Sequence, residues 1–96
     1  MNLEELRKNY KEDILRIADK YGVTDVRVFG SVARGDAKEG SDVDFVVRFP
    51  KDASFITYGE MQDELEGVMS CRVDLLSENG INKHLKDEIL SNSENL

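Results

Sequence analysis

The stretch Val28 to Val47, VFGSVARGDAKEGSDVDFVV, leaves few ways for the chain to fold. Two short runs rich in β-branched residues flank a loop that begins at Gly30-Ser31. The runs read as strands, the first (TDVRVF) closed by Gly30 and the second (SDVDFVVRF) stopped at Pro50. The connecting SVARGDAKEG reads as a loop opening with one helical turn that Gly35 ends. Side chains alternate faces along a strand, so Val43, Phe45 and Val47 point to a core. Asp42 and Asp44 then share the opposite face, their Cα atoms about 6–7 Å apart.

Helices are expected around these strands. Leu3, Leu6, Tyr10, Ile14, Ile17, Ala18 and Tyr21 recur at helical spacing, and Gly22 supplies a stop. Ser54 to about Met69 reads as a second amphipathic helix capped by Ser54, with Phe55, Tyr58, Met61, Leu65, Val68 and Met69 as its stripe. CRVDLLS reads as a third strand. Ile81, Leu85 and Ile89 mark a last helix from Gly80 to about Leu90, and the tail 91–96, SNSENL, is expected to fray. Residues 1–96 are expected to form one domain in the order α-β-(short α)-β-α-β-α, helices packed on a small sheet, an α/β or α+β fold.

Composition excludes several functions. A net charge of −7, without a cluster of Lys and Arg, disfavours broad nucleic-acid binding. No apolar run approaches the ~20 residues that span a bilayer, and MNLEELRKNYKED has no signal-peptide core. A lone Cys71 offers neither disulfide framework nor thiolate cluster, which suits a cytoplasmic location. Cys71 reads as a small hydrophobe, His84 as a solvated helix residue without a metal role, and Met61 and Met69 as core.

Asp74, between Val73 and Leu75 in the third strand, adds a third carboxylate. Three crowded anions repel one another unless a cation lies between them, and such a set suits two-metal phosphoryl or nucleotidyl transfer. Aspartates alternating with apolar residues also describe any half-exposed strand. Gly30 lets backbone approach a phosphate closely and Ser31 adds a hydroxyl donor, although Gly-Ser is also a routine turn. Arg34 reads equally as a phosphate partner or a solvated loop residue.

The pattern Phe29-Gly30-Ser31, ten residues from Val32 to Ser41, then Asp42-Val43-Asp44-Phe45, with Val73-Asp74-Leu75 beyond, resembles the signature of polymerase-β-type nucleotidyltransferases. FGSVARGDAKEGSDVDFVV is closer still to the minimal nucleotidyltransferases, the MNT-domain antitoxins paired with HEPN-domain toxins, and the likeness spans essentially the whole chain. The resemblance implies a mixed sheet of the polymerase-β palm type. It implies Mg²⁺, as two ions, held by Asp42, Asp44 and Asp74, with Asp74 also helping to deprotonate the acceptor. Gly30 and Ser31 would hold the nucleoside triphosphate, assisted by Arg34. The implied reaction moves AMP from ATP to a tyrosine of a HEPN toxin, in a hetero-oligomer with the toxin or a homo-oligomer.

About twenty residues follow Asp74, room for a helix and a tail, so the acceptor is expected to be a docking protein. Two other readings stay open: a nucleotide-binding antitoxin that acts by occlusion, and transfer to a small molecule.

Overall fold

Helix α1 (Leu3–Lys20) starts at Asn2, whose side chain accepts the Glu5 amide at 2.8 Å. It ends at Gly22, which takes φ +73° while its amide donates to the Asp19 carbonyl and the Val23 amide to that of Ala18. Those paired bonds close a Schellman turn, which a residue with a Cβ would strain. The computed structural model describes all 96 residues. Beyond α1 come β1 (Val26–Phe29), the five-residue α2 (Gly30–Arg34), β2 (Val43–Val47), α3 (Phe55–Met69) and β3 (Val73–Ser77). A 3-10 turn (Glu78–Gly80), α4 (Lys83–Ser91) and β4 (Glu94–Asn95) complete the chain.

The sheet order is β3-β2-β1-β4, with β2 parallel to β3 and antiparallel to β1. It is therefore the helix-flanked sheet that the sequence pattern implies, and mixed as the family resemblance implies. A parallel pair needs a long crossover, and α3 supplies it between β2 and β3. Val28, Val43, Phe45, Val47, Val73 and Leu75 turn one face to the core and meet Leu6, Ile14 and Ile17 of α1 and Met61, Leu65 and Met69 of α3. Val46, also buried, lies outside that cluster on the opposite face, which the third side chain of the alternation requires.

Three expectations need correction. The stripe of α3 starts at Tyr58, not Phe55: Tyr58 stacks on Phe49 with ring centroids 5.0 Å apart, closing the core there, and Phe55 is left 96% exposed. The last helix starts at Lys83 rather than Gly80, because the Asn82 side chain caps it through the His84 amide and Ile81 lies in the preceding break. The tail does not fray. β4 pairs antiparallel with the free edge of β1, Arg27 opposite Asn95 and Val28 opposite Glu94. Leu96 is buried in the core cluster, and the Arg7 guanidinium donates to the carbonyls of Asn95 and Leu96.

Deleting residues 94–96 should consequently lower the unfolding free energy by about 2–3 kcal/mol, chiefly the burial of one leucine. Urea denaturation of the truncated and full chains measures this, and a frayed tail would give no difference.

Glu78 is the one charged residue among the buried ones, 6% exposed. Its carboxylate pairs with Arg48 at 3.1 Å and Lys86 at 3.5 Å, tying the end of β2 to α4. The Arg48 guanidinium, hydrogen-bonded to it, holds the Glu78 carboxyl below the usual carboxylate range.

Candidate active site

Register brings the distant carboxylates together. Phe29 stands opposite Asp44, and Asp44 opposite Asp74. Directly opposed residues share a sheet face, so Phe29, Asp44 and Asp74 form one row across three strands, on the side away from the core. Asp42 lies one alternation earlier, just ahead of β2, where the Val43 amide donates to the Arg72 carbonyl and starts the pairing with β3.

Crowding is visible in the proton affinity of Asp44, which is half-buried. Burial, then the neighbouring charge and hydrogen bond of Asp74, then Asp42, push its pKa up from 3.8 to about 6, against a smaller pull from Arg34. The folded state therefore holds this proton more tightly than the unfolded chain. Below about pH 3.8 both states are protonated and Asp44 costs nothing; stability falls as pH rises to about 6 and the loss is complete above it. The full interval is worth about 3 kcal/mol, which solvent screening of a partly exposed group reduces to about 1–2 kcal/mol. Asp44→Asn should thus stabilise the fold by that amount at neutral pH and not near pH 4, as urea titrations at the two pH values would measure.

Gly30 follows β1 with φ +72°, and a Cβ added there would run into the Asp44 carboxylate, 3.0 Å from its Cγ. Glycine is needed here both for its backbone angle and for the space that Asp44 fills. Ser31, half-buried at the start of α2, offers its hydroxyl to no partner in the chain, while its carbonyl accepts from Gly35 and Asp36. Gly35, at φ +83°, closes α2, as its place in the sequence predicts. Arg34 is exposed, and its Nε donates to Asp36 at 3.3 Å, yet its charge is felt at Asp44 and its side chain borders the same turn as Gly30. The arrangement thus joins three carboxylates, a close-packed glycine turn and one exposed cation, a set suited to handling a phosphate chain beside divalent ions.

The family model described as the nucleotidyltransferase domain matches residues 5–95. The chain belongs to that family. This nucleotidyltransferase is 32% identical over 90 residues to the protein adenylyltransferase MntA of Thermococcus cleftensis, with 94% of this chain and 91% of that protein covered. A solved candidate minimal nucleotidyltransferase superposes with a TM-score of 0.88 at 38% identity, over 100% of this chain and 97% of that one. A Shewanella oneidensis complex of tri-AMPylated HEPN toxin with MNT antitoxin contains a chain similar in fold, TM-score 0.72 at 15% identity, over 93% of this chain and 70% of that one. The chain is thus similar over its length to minimal, MntA-like nucleotidyltransferases, of which the Thermococcus cleftensis protein is a protein adenylyltransferase.

Can this nucleotidyltransferase hold the metal its family implies? No three carboxylate, imidazole or thiol side chains are close enough together to grip an ion by themselves. The donors are hard oxygens, and burial together with the neighbouring Asp74 and Asp42 charges disfavours the bare Asp44 carboxylate, which a cation there would favour. Mg²⁺ is typically bound through one or two carboxylates plus substrate phosphates and waters. Asp44 with Asp42 or Asp74 fits that mode, in which the nucleotide completes the coordination.

Cys71, half-buried ahead of β3, has its thiol pushed up by burial and by Glu66, the opposite of an activated nucleophile. His84 is exposed, and Met61 and Met69 are core, as expected. Two contributors went unnoticed in the sequence. Phe29 walls Asp44 on the β1 side, which the alternation in VRVF would have revealed. Glu66 of α3 accepts the Val73 amide at 2.9 Å, on the edge of β3 and one residue before Asp74; an edge amide has no sequence signal.

Proposed function

We propose that this chain transfers AMP from ATP to a tyrosine hydroxyl of a HEPN-domain partner and acts as the antitoxin of that pair. The observation that carries the reading is the row of Asp44 and Asp74 on adjacent strands, with Gly30 packed against Asp44. The Shewanella oneidensis complex, whose toxin is AMP-modified, supports the choice of acceptor, and a toxin–antitoxin structure with AMP-PNP, similar in fold, supports the nucleotide.

Gly30 and Ser31 hold the triphosphate against the turn, and Arg34 leaves Asp36 to pair with its outer oxygens. Asp44, paired with Asp42 or with Asp74 and completed by the nucleotide's phosphates, would hold Mg²⁺, which when bound neutralises the charge that develops on the phosphates. The acceptor oxygen attacks the α-phosphorus as the bond to the bridging oxygen breaks, and pyrophosphate departs. Asp74, on the edge strand β3 and exposed, receives the tyrosine proton from a docking partner.

Co-expression with the partner followed by intact-mass spectrometry tests this. The expected result is a gain of one or more AMP units on the partner; a partner that is neutralised with no mass change would favour occlusion instead.

A further inference from the structure

Asp74 rides on a weakly supported strand. β3 ends the sheet and pairs only with β2, in the parallel mode, which is slightly the less stable per residue. It is five residues long, and Asp74 is the second of them. A carboxylate so close to the start of an edge strand keeps its place only if something outside the sheet fixes that start.

Glu66 is built into both sides of the turn that leads there. Its backbone carbonyl accepts the Ser70 amide at 2.8 Å, the bond that closes α3. Its side-chain Oε2 accepts the Val73 amide at 2.9 Å, seven residues along the chain. Ser70 bends the chain between them at φ +54°. One residue thus ties the last turn of α3 to the first residue of β3. On the inner side of the same entry, the Arg72 carbonyl accepts the amide of Val43, the residue between Asp42 and Asp44. The start of β3 is therefore gripped between the strand that carries two of the carboxylates and the Glu66 side chain. Any hydrogen-bond acceptor could satisfy a buried edge amide; what singles this one out is its place, one residue ahead of Asp74. Glu66 is half-buried and takes part in none of the ion pairs of the domain, so its carboxylate serves the amide rather than a cation.

We propose that Glu66 is a positioning residue for the transfer reaction: by holding the Val73 amide, it fixes the Asp74 carboxylate beside Asp44 and toward the acceptor oxygen. The inference rests on the nucleotidyl-transfer reading of the same site. A rigid planar peptide joins Val73 to Asp74, so an outward swing of the released amide carries Asp74 with it. Gly30, Ser31 and Arg34 stand on the β1 side of the site, away from Glu66, and their hold on the nucleotide is independent of this bond.

Steady-state AMP transfer to the co-expressed partner, with ATP and Mg²⁺, tests the assignment. Glu66→Ala should lower kcat by about 10- to 100-fold, the scale of a displacement of about 1 Å, and leave the KM for ATP unchanged. Glu66→Leu, which fills the space without an acceptor, should lose as much. Glu66→Gln keeps an oxygen able to accept the same bond, and should retain the parent kcat and its pH profile. Hydrogen exchange of the Val73 amide should accelerate in Glu66→Ala and Glu66→Leu but not in Glu66→Gln. Leu96→Ala, buried beyond β4 at the opposite edge of the sheet, should lower the urea midpoint without lowering kcat, which separates lost stability from lost position. Parent kcat in folded Glu66→Ala or Glu66→Leu would make the bond purely structural and overturn the proposal. An equal loss of kcat in Glu66→Gln would show that the charge acts rather than the bond, and would overturn it too. A parent chain that transfers no AMP would overturn the transfer reading and this inference with it.

Discussion

Asp44→Asn should reduce AMP transfer at least ~1,000-fold, equivalent to about 4 kcal/mol of transition-state stabilisation. Asp44 occupies the middle of the row, with Asp74 on one side and Asp42 one alternation away, so it is the carboxylate nearest to both of the others. Asparagine keeps the shape and removes the charge. The burial cost and the repulsion that hold Asp44 near pKa 6 disappear as well, so the inactive variant should be the more stable one at neutral pH. A protein that gains stability while losing activity is the mark of a group selected for chemistry rather than for folding. The measurement is transfer of labelled AMP to the partner, paired with urea denaturation of the same preparations. Neutralisation of the partner that survives in the Asp42→Asn, Asp44→Asn double variant would point to occlusion. Its loss, with the complex still forming, would point to transfer.

Gly30→Ala should be nearly as damaging by a different route. A left-handed backbone angle costs an L-residue about 1 kcal/mol. The larger effect comes from the added methyl, which overlaps the Asp44 carboxylate and forces either the turn or the aspartate to move. Displacements of about 1 Å in an active site cost on the order of 100-fold in rate. Single-turnover transfer assays should show at least that loss, together with destabilisation of about 1–3 kcal/mol from strain and overpacking. The same change at Gly40, also at positive φ but with open space around its Cβ, should cost only the backbone term and leave transfer near the unaltered rate. Comparison of the two variants separates the steric argument from the conformational one.

The faces of β2 were legible because local rules govern them. Alternation alone sends Asp42 and Asp44 to one face and Val43, Phe45 and Val47 to the other, and β2 is built that way. Ser54 and Gly22 mark helix ends through bonds to their near neighbours, which the sequence carries in full. The glycine turn was legible as a motif, but its steric reason was not: the group that a Cβ would strike belongs to another strand. Phe55 was misjudged for a related reason. Periodicity says which residues share a helix face, and it is silent on whether anything covers that face.

Sequence by itself therefore determined three of the four strands, most helix boundaries and the placing of Asp42 and Asp44 on one face, since each depends on bonds or alternation within a few residues. Tertiary structure decided the register that sets Asp74 beside Asp44, the pairing of the tail with β1, and the exposure of Phe55. Those depend on contacts between segments far apart in the chain. A two-residue strand such as Glu94–Asn95 has no preference of its own until the free edge of β1 offers it partners.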